Sequence, residues 1–341
     1  MLVAMTSGGN SKTTLDDLAR LAGVSASTVS RALNDHKLIS ARTKQKIWAL
    51  AREHDYPFKT TMTLMQGGAA GAISIVTPYN RGRPLPLSHP FFLELLASIG
   101  EAARARDCDF TVSHAAAATL DDLKHATSSG TSSGVIFLGQ AALHNEFNEL
   151  SDTKARFVVW GAHLPGQRYR SVGSDNVLGG RRATLHIARG GRKRILFLGG
   201  SDPEAAQRRR GYLEALAASD LPVDDTLIVQ VEFELESAET AVAQLIERGV
   251  RFDGVFAASD LMALGAIKAI RRAGLAVPDD VSVVGYDDML LARLSTPTLT
   301  TIRQDTAEAG RLLVASLLDP KLFRGRGVLP TELIVRESCG S

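Results

Sequence analysis

Four residues with hydrogen-bonding side chains lie close together near the start of the chain, namely Ser27, Thr28, Ser30 and Arg31. An arginine can donate to both major-groove acceptors of a guanine, which discriminates between base pairs by about 1–3 kcal/mol. Short hydroxyl side chains can approach phosphates and bases closely. The cluster therefore predicts a surface that contacts DNA, although a solvated helix in a small bundle would show the same pattern.

Three short amphipathic helices are predicted around this cluster. Thr14, Ser25 and Ser40 are suitable N-caps for them, and Gly23 ends the first helix. The apolar residues that share their inner faces are Leu15, Leu18, Ala19, Ala22, Val29, Ala32, Leu33, Ile47, Leu50 and Ala51. A helix, a glycine turn and a second helix form a helix-turn-helix, whose second helix lies in the major groove of DNA.

The distribution of charge supports a nucleic-acid-binding N-terminal part. The 341 residues carry a net charge of only +2, but there are nine basic and five acidic residues up to Gln66. The two cysteines, Cys108 and Cys339, match neither a metal-binding nor a disulfide spacing. No apolar run resembles a signal peptide or approaches the roughly 20 residues of a membrane helix. We therefore expect a cytoplasmic protein, nucleoid-associated when bound to DNA, with no metal, no cofactor and no membrane partner.

Short β-rich runs alternate with helical patterns after residue 70. The predicted strands are 72–76, 110–113, 134–138, 156–160, 194–198, 227–231, 254–258 and 281–286, and the predicted helices include 91–106, 177–189, 204–218, 236–248 and 262–273. Such alternation predicts parallel sheets wrapped by helices. The length of this part, roughly 270 residues, exceeds one ordinary domain and favours two doubly wound lobes.

No motif points to an enzyme. Residues 7–13 include Lys12 but lack the glycine spacing of a phosphate-binding loop. The sequence has neither a nucleophile elbow nor a cluster of metal ligands. Asp287 and Asp288 are adjacent on one loop, so we expect their carboxylates to point apart. A sugar-binding transport receptor is a remote alternative, because it would require export from the cell, where a DNA-binding headpiece has no use.

Several segments resemble the LacI-type (lactose/purine repressor) family of bacterial transcription regulators. The headpiece of that family resembles TLDDLARLAGVSASTVSRALN, which begins at Thr14, and ISARTKQKIWALAREHDY, which begins at Ile39. Further matching segments are HPFFLELL (89–96), VGSDNVLGG (172–180), RRRGYLEAL (208–216), FAASDLMALGAIKAI (256–270), VSVVGYDD (281–288) and LTTIRQD (299–305). The resemblance implies a dimeric repressor with a small all-α headpiece. Its core would be an α/β pair of lobes, built from doubly wound parallel sheets like the periplasmic sugar-binding proteins.

This resemblance also implies a division of the chain. The expected parts are a disordered lead-in (1–12), a helix-turn-helix headpiece (13–57), a hinge segment (58–70) and a core for effector binding and dimerisation (71–341). Within the core, the expected lobe 1 is about 71–171 plus 302–329, and lobe 2 is about 172–301 plus 330–341. The chain would cross between the lobes near Val172, Thr301 and Leu329. Because no further heptad helix follows, a homodimer is expected.

The resemblance assigns DNA contacts to individual residues. The base-reading positions are Ala26, Ser27 and Arg31, and the backbone-contacting positions are Thr14, Thr28, Ser30, Asn34 and Thr43. In the family, the hinge segment folds into a helix on the operator and pushes an apolar side chain into the minor groove. Pro57 lies one place earlier than in the family pattern, so either Leu64 or Met65 would be this wedge. A plain flexible linker is the alternative.

Two lobes form a cleft, and ligands bind there at the carboxyl ends of strands. The residues that the resemblance places at the ligand are Phe91, Trp160, Asp175, Arg208, Phe233, Ser259 and Asp287. A guanidinium and a carboxylate suit sugar hydroxyls, whereas core packing is an alternative for the aromatic residues and ordering of the crossover for Asp175. The expected effector is a small sugar that releases the repressor from a pseudo-palindromic operator. Because Trp160 and Gly161 resemble a pair near the pocket of the purine repressor, a purine or other small molecule acting as corepressor is the alternative.

Overall fold

The computed structural model describes residues 14–33, 39–40, 43–44, 46–47, 50, 72–80, 83–84, 89–113, 117–128, 132–319 and 327–340. The chain divides into two compact units, residues 1–69 and residues 70–341. The expected lead-in and hinge segment lie outside the described residues, and with them lie Leu64 and Met65. Asn34 also lies outside the described residues.

Two helices joined by a tight turn open the first unit, α1 (Leu15–Ala22) and α2 (Ala26–Leu33). The helix α1 begins with a capping box, because Thr14 Oγ1 accepts from the amide of Asp17 and the Asp17 carboxylate accepts from the amide of Thr14. Gly23 ends α1 at a φ of +69°, in the left-handed region that favours glycine. The predicted start and end of this helix are therefore confirmed.

A third group of helical residues lies at 43–44, 46–47 and 50. Ser25 Oγ accepts from the amide of Thr28 at 3.2 Å, and Ser40 Oγ accepts from the amide of Thr43 at 3.2 Å, so both predicted caps are confirmed. Lys46 Nζ donates to the carbonyl oxygen of Ala22 at 3.0 Å. The buried core of this unit comprises Leu18, Ala19, Ala22, Val29, Ala32 and Ile47.

The second unit contains two six-stranded sheets. Its strands are β1 (Ala72–Val76), β2 (Tyr79–Asn80), β3 (Arg83–Pro84), β4 (Phe110–Val112), β5 (Ser132–Leu138), β6 (Phe157–Trp160), β7 (Ser171–Ser174), β8 (Ile195–Gly199), β9 (Ile228–Gln230), β10 (Gly254–Ala257), β11 (Ser282–Asp287), β12 (Thr300–Gln304), β13 (Gly327–Leu329) and β14 (Thr331–Ile334). Its helices are α3 (Pro90–Arg104), α4 (Leu120–Thr127), α5 (His144–Ser151), α6 (Asn176–Arg189), α7 (Pro203–Ala218), α8 (Leu235–Glu247), α9 (Asp260–Arg272), α10 (Leu290–Leu294) and α11 (Thr306–Leu318). None of the helices among the described residues is long and apolar enough to cross a membrane.

The first sheet, which defines lobe 1, is parallel throughout and has the order β13–β7–β6–β5–β1–β4. Alternate residues of its strands point to opposite faces. On β5, Ile136 and Leu138 pack with α3 and α11, whereas Val135 and Phe137 pack with α4 and α5. Both faces are therefore covered by helices, as in a doubly wound sheet.

The second sheet, which defines lobe 2, has the order β14–β12–β11–β10–β8–β9. Its strands are parallel except for β14, which runs antiparallel to β12 at the edge. The helices α6 and α7 pack against each other, and so do α8 and α9. The two parallel-dominated sheets with their helices, together with the helical headpiece, confirm the predicted fold class.

The chain passes between the two sheets at three places. It runs from β7 into α6, from β12 into α11 and from β13 into β14. Asp175 and Asp305 cap the helices at the first two crossings, where each Oδ1 accepts from a backbone amide three residues later. Val172 and Thr301, near which crossings were predicted, lie inside β7 and β12. Each crossing follows the carboxyl end of a strand, so the strand ends of both sheets lie near the cleft.

Two glycines allow α6 and α7 to approach each other closely. A Cβ at Gly180 would overlap the carbonyl oxygen of Arg208, and a Cβ at Gly211 would overlap the carbonyl oxygen of Val177. The backbones of the two helices are therefore in contact at these points. This contact fixes where Arg208 lies relative to the lobe 2 sheet.

Gly180→Ala should destabilise the second unit. The added methyl must push α7 away from α6, and overpacking of this kind costs about 1–3 kcal/mol, more than the small helix-propensity gain from alanine. Thermal unfolding of the full chain should show the lower transition temperature. Arg181→Ala, at the exposed neighbouring position of α6, is the control. An unchanged transition in Gly180→Ala would show that the helices are not in tight contact.

Candidate functional site

The helix α2 presents one face to the core of the headpiece and another to solvent. Val29 and Ala32 are buried, whereas Ser27 and Arg31 are exposed. Ala26 is partly buried and packs against the core, so its methyl group contributes to packing whatever it contacts on DNA. The exposed pair Ser27 and Arg31 is thus available to the edges of bases.

Hydroxyl groups gather at the N-termini of α2 and of the third helical segment. Ser25 Oγ lies 2.9 Å from Ser27 Oγ and 2.8 Å from Thr28 Oγ1, and Ser40 Oγ lies 2.8 Å from Thr43 Oγ1. Helix N-termini attract phosphate because their first amides point outward and the helix dipole is positive there. Such hydroxyl-rich N-termini suit contacts with phosphate groups.

Thr14 lies at the third N-terminus of the headpiece, that of α1. Its hydroxyl donates to Asp17 Oδ2 at 2.6 Å. Hydrogen bonds from Thr14 lower the pKa of Asp17, which keeps this carboxylate ionised. The single hydroxyl proton of Thr14 is therefore donated to Asp17, so a phosphate contact at Thr14 would require that proton to turn away from Asp17 or would fall to neighbouring backbone amides.

A cavity of about 720 Å³ lies between the two lobes of the second unit. Its lining comes from residues at the carboxyl ends of strands, from the loops that follow them and from the N-terminal turns of the next helices, as expected for such a fold. Lobe 1 contributes His89, Phe91, Phe92, Gly139, Gln140, Ala141, Trp160, Gly161, Gly173 and Ser174. Lobe 2 contributes Asn176, Asp202, Glu204, Arg208, Glu232, Phe233, Glu234, Asp287 and Gln304.

Five of the seven residues that the sequence placed at a ligand line this cavity, namely Phe91, Trp160, Arg208, Phe233 and Asp287. The rings of Phe91 and Trp160 lie 5.7 Å apart between centroids and form part of an apolar wall on the lobe 1 side. Both rings are also almost fully buried in the lobe 1 core. Each ring therefore packs in the lobe 1 core and also lines the cavity, and these are the two roles that the sequence left open.

Asp175 and Ser259 do not belong to the lining. Asp175 Oδ1 accepts from the amide of Leu178 at 2.9 Å, and Ser259 Oγ accepts from the amide of Met262 at 3.3 Å. Each side chain caps the helix that follows its strand, which satisfies an amide that has no partner within the helix. Ser259 is also fully buried. We therefore leave both out of the proposed ligand site.

Arg208 is held by contacts on several sides in the cavity. Its Nε donates to Asn176 Oδ1 at 2.9 Å, its Nη1 donates to the carbonyl oxygen of Ala258, and its guanidinium carbon lies 3.6 Å from the centre of the Tyr286 ring. Its Nη1 also lies 3.9 Å from Asp287 Oδ1, and both of these side chains are only 5% exposed. A guanidinium fixed in this way presents a preorganised donor to a ligand.

Asp287 and Arg208 together form the polar floor of the cavity. Its Oδ1 accepts from Gln304 Nε2 at 2.7 Å, and its backbone has a φ of +121°, which non-glycine residues rarely adopt. Burial raises the pKa of Asp287 to about 7, although Arg208 and Gln304 oppose this shift. Such strain and such a shift are typical of residues that a binding site holds in place.

Glu204 and Gln140 are cavity residues that the sequence analysis missed. Glu204 Oε1 accepts from the amide of Ala162 at 3.2 Å, and the carbonyl oxygen of Ala162 accepts from Gln140 Nε2 at 2.7 Å. Since Ala162 belongs to lobe 1 and Glu204 to lobe 2, this contact joins the lobes, as does the bond from Gln207 Nε2 to the carbonyl oxygen of His163. No local sequence signal distinguishes Glu204 from other glutamates in the first turn of a helix.

Comparisons with known proteins agree with this two-part arrangement. Residues 14–57 match the family described as "Bacterial regulatory proteins, lacI family", and residues 184–339 match the "Periplasmic binding protein-like domain". The HTH-type transcriptional regulator CelR of Thermobifida fusca is 32% identical over 342 residues, which cover 95% of this chain and 98% of that protein. The chain belongs to the LacI family.

Solved structures of LacI-family regulators resemble the chain along nearly its whole length. The CelR–cellobiose complex is 31% identical, with a TM-score of 0.68, and the match covers 96% of this chain and 100% of that one. The lac repressor dimer bound to operator and the anti-inducer ONPF is 26% identical, with a TM-score of 0.69 and coverage of 96% and 99%. The predicted family is confirmed, and so is the prediction that the chain is a transcription regulator rather than an enzyme.

Glu204 should make the stability of this LacI-family regulator depend on pH. Burial, reinforced by the negative charge of Asp202, raises the pKa of Glu204 from 4.5 to about 7. The folded chain thus binds this proton more tightly than the unfolded chain, so stability falls as pH rises from about 4.5 to about 7. Glu204→Gln removes the ionisation but keeps an oxygen that can accept from Ala162.

Thermal unfolding at pH 5.5 and pH 7.5 tests this prediction. The transition temperature should fall less between these two pH values in Glu204→Gln than in the parent chain. Glu214→Gln, on the exposed side of the same helix α7, should leave the fall as large as in the parent. Equal falls in all three proteins would contradict the role of Glu204.

Proposed function

We propose that the chain is a homodimeric repressor that binds a pseudo-palindromic operator through α2 and releases it when a small sugar occupies the cavity between the lobes. The observation that carries the proposal is the cavity floor of Arg208 and Asp287 beside an aromatic wall. A guanidinium and a carboxylate can hold adjacent hydroxyls, while aromatic rings pack on the apolar face of a sugar ring. The CelR relative, whose complex contains cellobiose, supports a sugar as the effector.

The coupling between cavity and operator requires two arrangements of the lobes. The contacts of Glu204 with Ala162 and of Gln207 with His163 join the lobes across the cavity. A ligand that favours one lobe angle over the other shifts the population of the two arrangements, and only this difference in affinity can change operator binding. In the proposal, the segment 58–70 transmits the change to the headpiece, with Leu64 or Met65 as the minor-groove wedge.

Selection of duplexes from a random library by the full chain, followed by release assays, tests this function. The selected sites should be pseudo-palindromic. A panel of mono- and oligosaccharides, with purines alongside, should contain a sugar that lowers affinity for the selected duplex. If a purine instead raised the affinity of the chain for the selected duplex, the effector would be a corepressor and not an inducer. Failure to enrich any duplex would overturn the proposal.

Arg31 should govern sequence discrimination. Arg31→Lys keeps the charge but loses the planar fork that pairs with guanine, so preference for the selected duplex over one with a substituted base pair should fall by about 1–3 kcal/mol. Arg31→Ala should lose non-specific affinity as well. Fluorescence anisotropy with both duplexes measures the ratio. Effector binding should be unchanged in both variants. Its loss would contradict the proposal that the first unit binds DNA and the second unit binds the effector.

Asp287 should be required for the response to the effector but not for operator binding. Asp287→Asn keeps nearly the same side-chain shape but removes the charge that faces Arg208. Release of the operator by the inducing sugar should then need at least about tenfold more ligand, since each tenfold is about 1.4 kcal/mol. Asp220→Asn, at another residue with positive φ, is the matched control. An unchanged release curve for Asp287→Asn would remove Asp287 from the site.

A further inference from the structure

The lobe 2 wall of the cavity is strongly acidic. Arg208 is the only arginine or lysine among the described residues that line it. The carboxylates of the lining are Asp202, Glu204, Glu232, Glu234 and Asp287. His89, on the lobe 1 side, adds no positive charge at neutral pH, because burial lowers its pKa to about 4. The described residues of the lining thus carry a net negative charge, even with the pKa values of Glu204 and Asp287 raised to about 7.

The guanidinium of Arg208, the one positive charge among the described lining residues, already has partners. Arg208 faces Asp287, donates to Asn176 and lies over the ring of Tyr286. Burial and the negative charge of Asp202 raise the pKa of Glu204, because two neighbouring carboxylates repel each other when both are ionised. A cationic group in the cavity would relieve this repulsion, whereas an anionic group would add to it.

Buried acceptors in the same cavity point independently to a ligand that donates hydrogen bonds. Gln140 is fully buried, and its Nε2 donates to the carbonyl oxygen of Ala162 and to the hydroxyl of Tyr169, each at 2.7 Å. Its Oε1 has no partner among the described residues, and neither has the hydroxyl of Ser174, which is 5% exposed. Buried polar atoms in proteins are almost always hydrogen-bonded, so a donor on the ligand is the natural partner of Gln140 Oε1.

Phe233 and Asp202 lie side by side at the edge of this acidic wall. A Cβ placed on Gly200 would lie 2.5 Å from Asp202 Oδ2 and 2.7 Å from Phe233 Cε2. Glu232 and Glu234 flank Phe233 in the sequence. An aromatic ring beside carboxylates attracts an ammonium group through both its quadrupole and the negative charges.

We propose that the effector is a hydroxyl-rich ligand with a protonated amino group, of the amino-sugar class, and that the cavity rejects uronates and sugar phosphates. This proposal rests on the proposed sugar response and adds the charge of the ligand to it. An ammonium group supplies up to three hydrogen-bond donors and a positive charge. Its attraction to the partly buried Asp202 and Glu204 exceeds that in water, because the effective dielectric constant is lower. Glu232 and Glu234 are exposed and attract it less strongly.

Calorimetry on the full chain at pH 7 with matched sugars tests the proposal. The probes are the β-1,4-linked glucosamine dimer, its N-acetylated form, cellobiose and cellobiouronate, with their monosaccharides alongside. The free amine should bind at least about tenfold tighter than cellobiose, where tenfold corresponds to about 1.4 kcal/mol, and cellobiouronate should bind most weakly. The N-acetylated dimer isolates the charge, because it keeps the ring and loses the ammonium group, so it should lose the advantage.

Variants locate the selectivity in the acidic wall. Asp202→Asn combined with Glu234→Gln should lower the preference for the amine over cellobiose several-fold, because two carboxylates are removed. The helix α7 should be kept, since an asparagine at position 202 can still cap it. Glu247→Gln is the matched control: it removes a carboxylate at the other end of α8, about 18 Å from the first turn. Its preference should equal that of the parent chain.

The outcomes separate this proposal from the one it rests on. If neutral sugars bind and release the operator but the amine binds no tighter, the charge selectivity is wrong and the sugar response stands. Equal or tighter binding of cellobiouronate would also overturn the charge selectivity. If no member of the panel binds, both the sugar response and the amino-sugar proposal fail.

Discussion

The buried pair of Arg208 and Asp287 is the interaction on which the rest of the site depends. Two charged groups that are each 5% exposed are tolerated only when hydrogen bonds satisfy their remaining polar atoms. Asn176, the carbonyl oxygen of Ala258 and Gln304 supply those bonds. Because Asn176 begins α6 and Gln304 ends β12, the pair also ties the lobe 2 site to two of the places where the chain changes lobes.

Several features of the surrounding structure hold this pair of side chains in place. The glycine contacts bring the backbone of α6 against that of α7 at Arg208, and Asp287, whose φ is positive, has its carboxylate beside the guanidinium. Asp260, fully buried behind it, accepts from the hydroxyl of Thr301 at 2.6 Å and from the amide of Met289 at 2.8 Å. These bonds fix the loop that follows β11. Strain at one residue is thus offset by hydrogen bonds from its neighbours.

Local patterns predicted the parts of the structure that depend on local physics. The caps at Thr14, Ser25 and Ser40 and the apolar strands of both sheets followed from residue type and periodicity. The strands β7 and β12 were missed because SVGS and TTIRQ are short and polar, and their burial comes from neighbouring strands. Asp175 and Ser259 illustrate a different ambiguity. Aspartate and serine are residue types that can bind ligands or cap helices, and the sequence does not distinguish the two roles. Glu204 gains its importance from a contact across the cleft. Gln140 gains its importance from contacts with Ala162 and Tyr169, which are distant in the sequence. Hydrophobic periodicity records neither.

The three passages of the chain between the sheets have a consequence for the synthesis of the protein. Lobe 1 needs α11 and β13, and lobe 2 needs β14, so neither sheet is complete until the last segments have left the ribosome. The headpiece, by contrast, is local in sequence and emerges first. During translation, the headpiece can therefore fold before the two sheets, and with them the cavity, are complete. A message truncated just before residue 327 would yield a chain that lacks an edge strand in each of its two sheets.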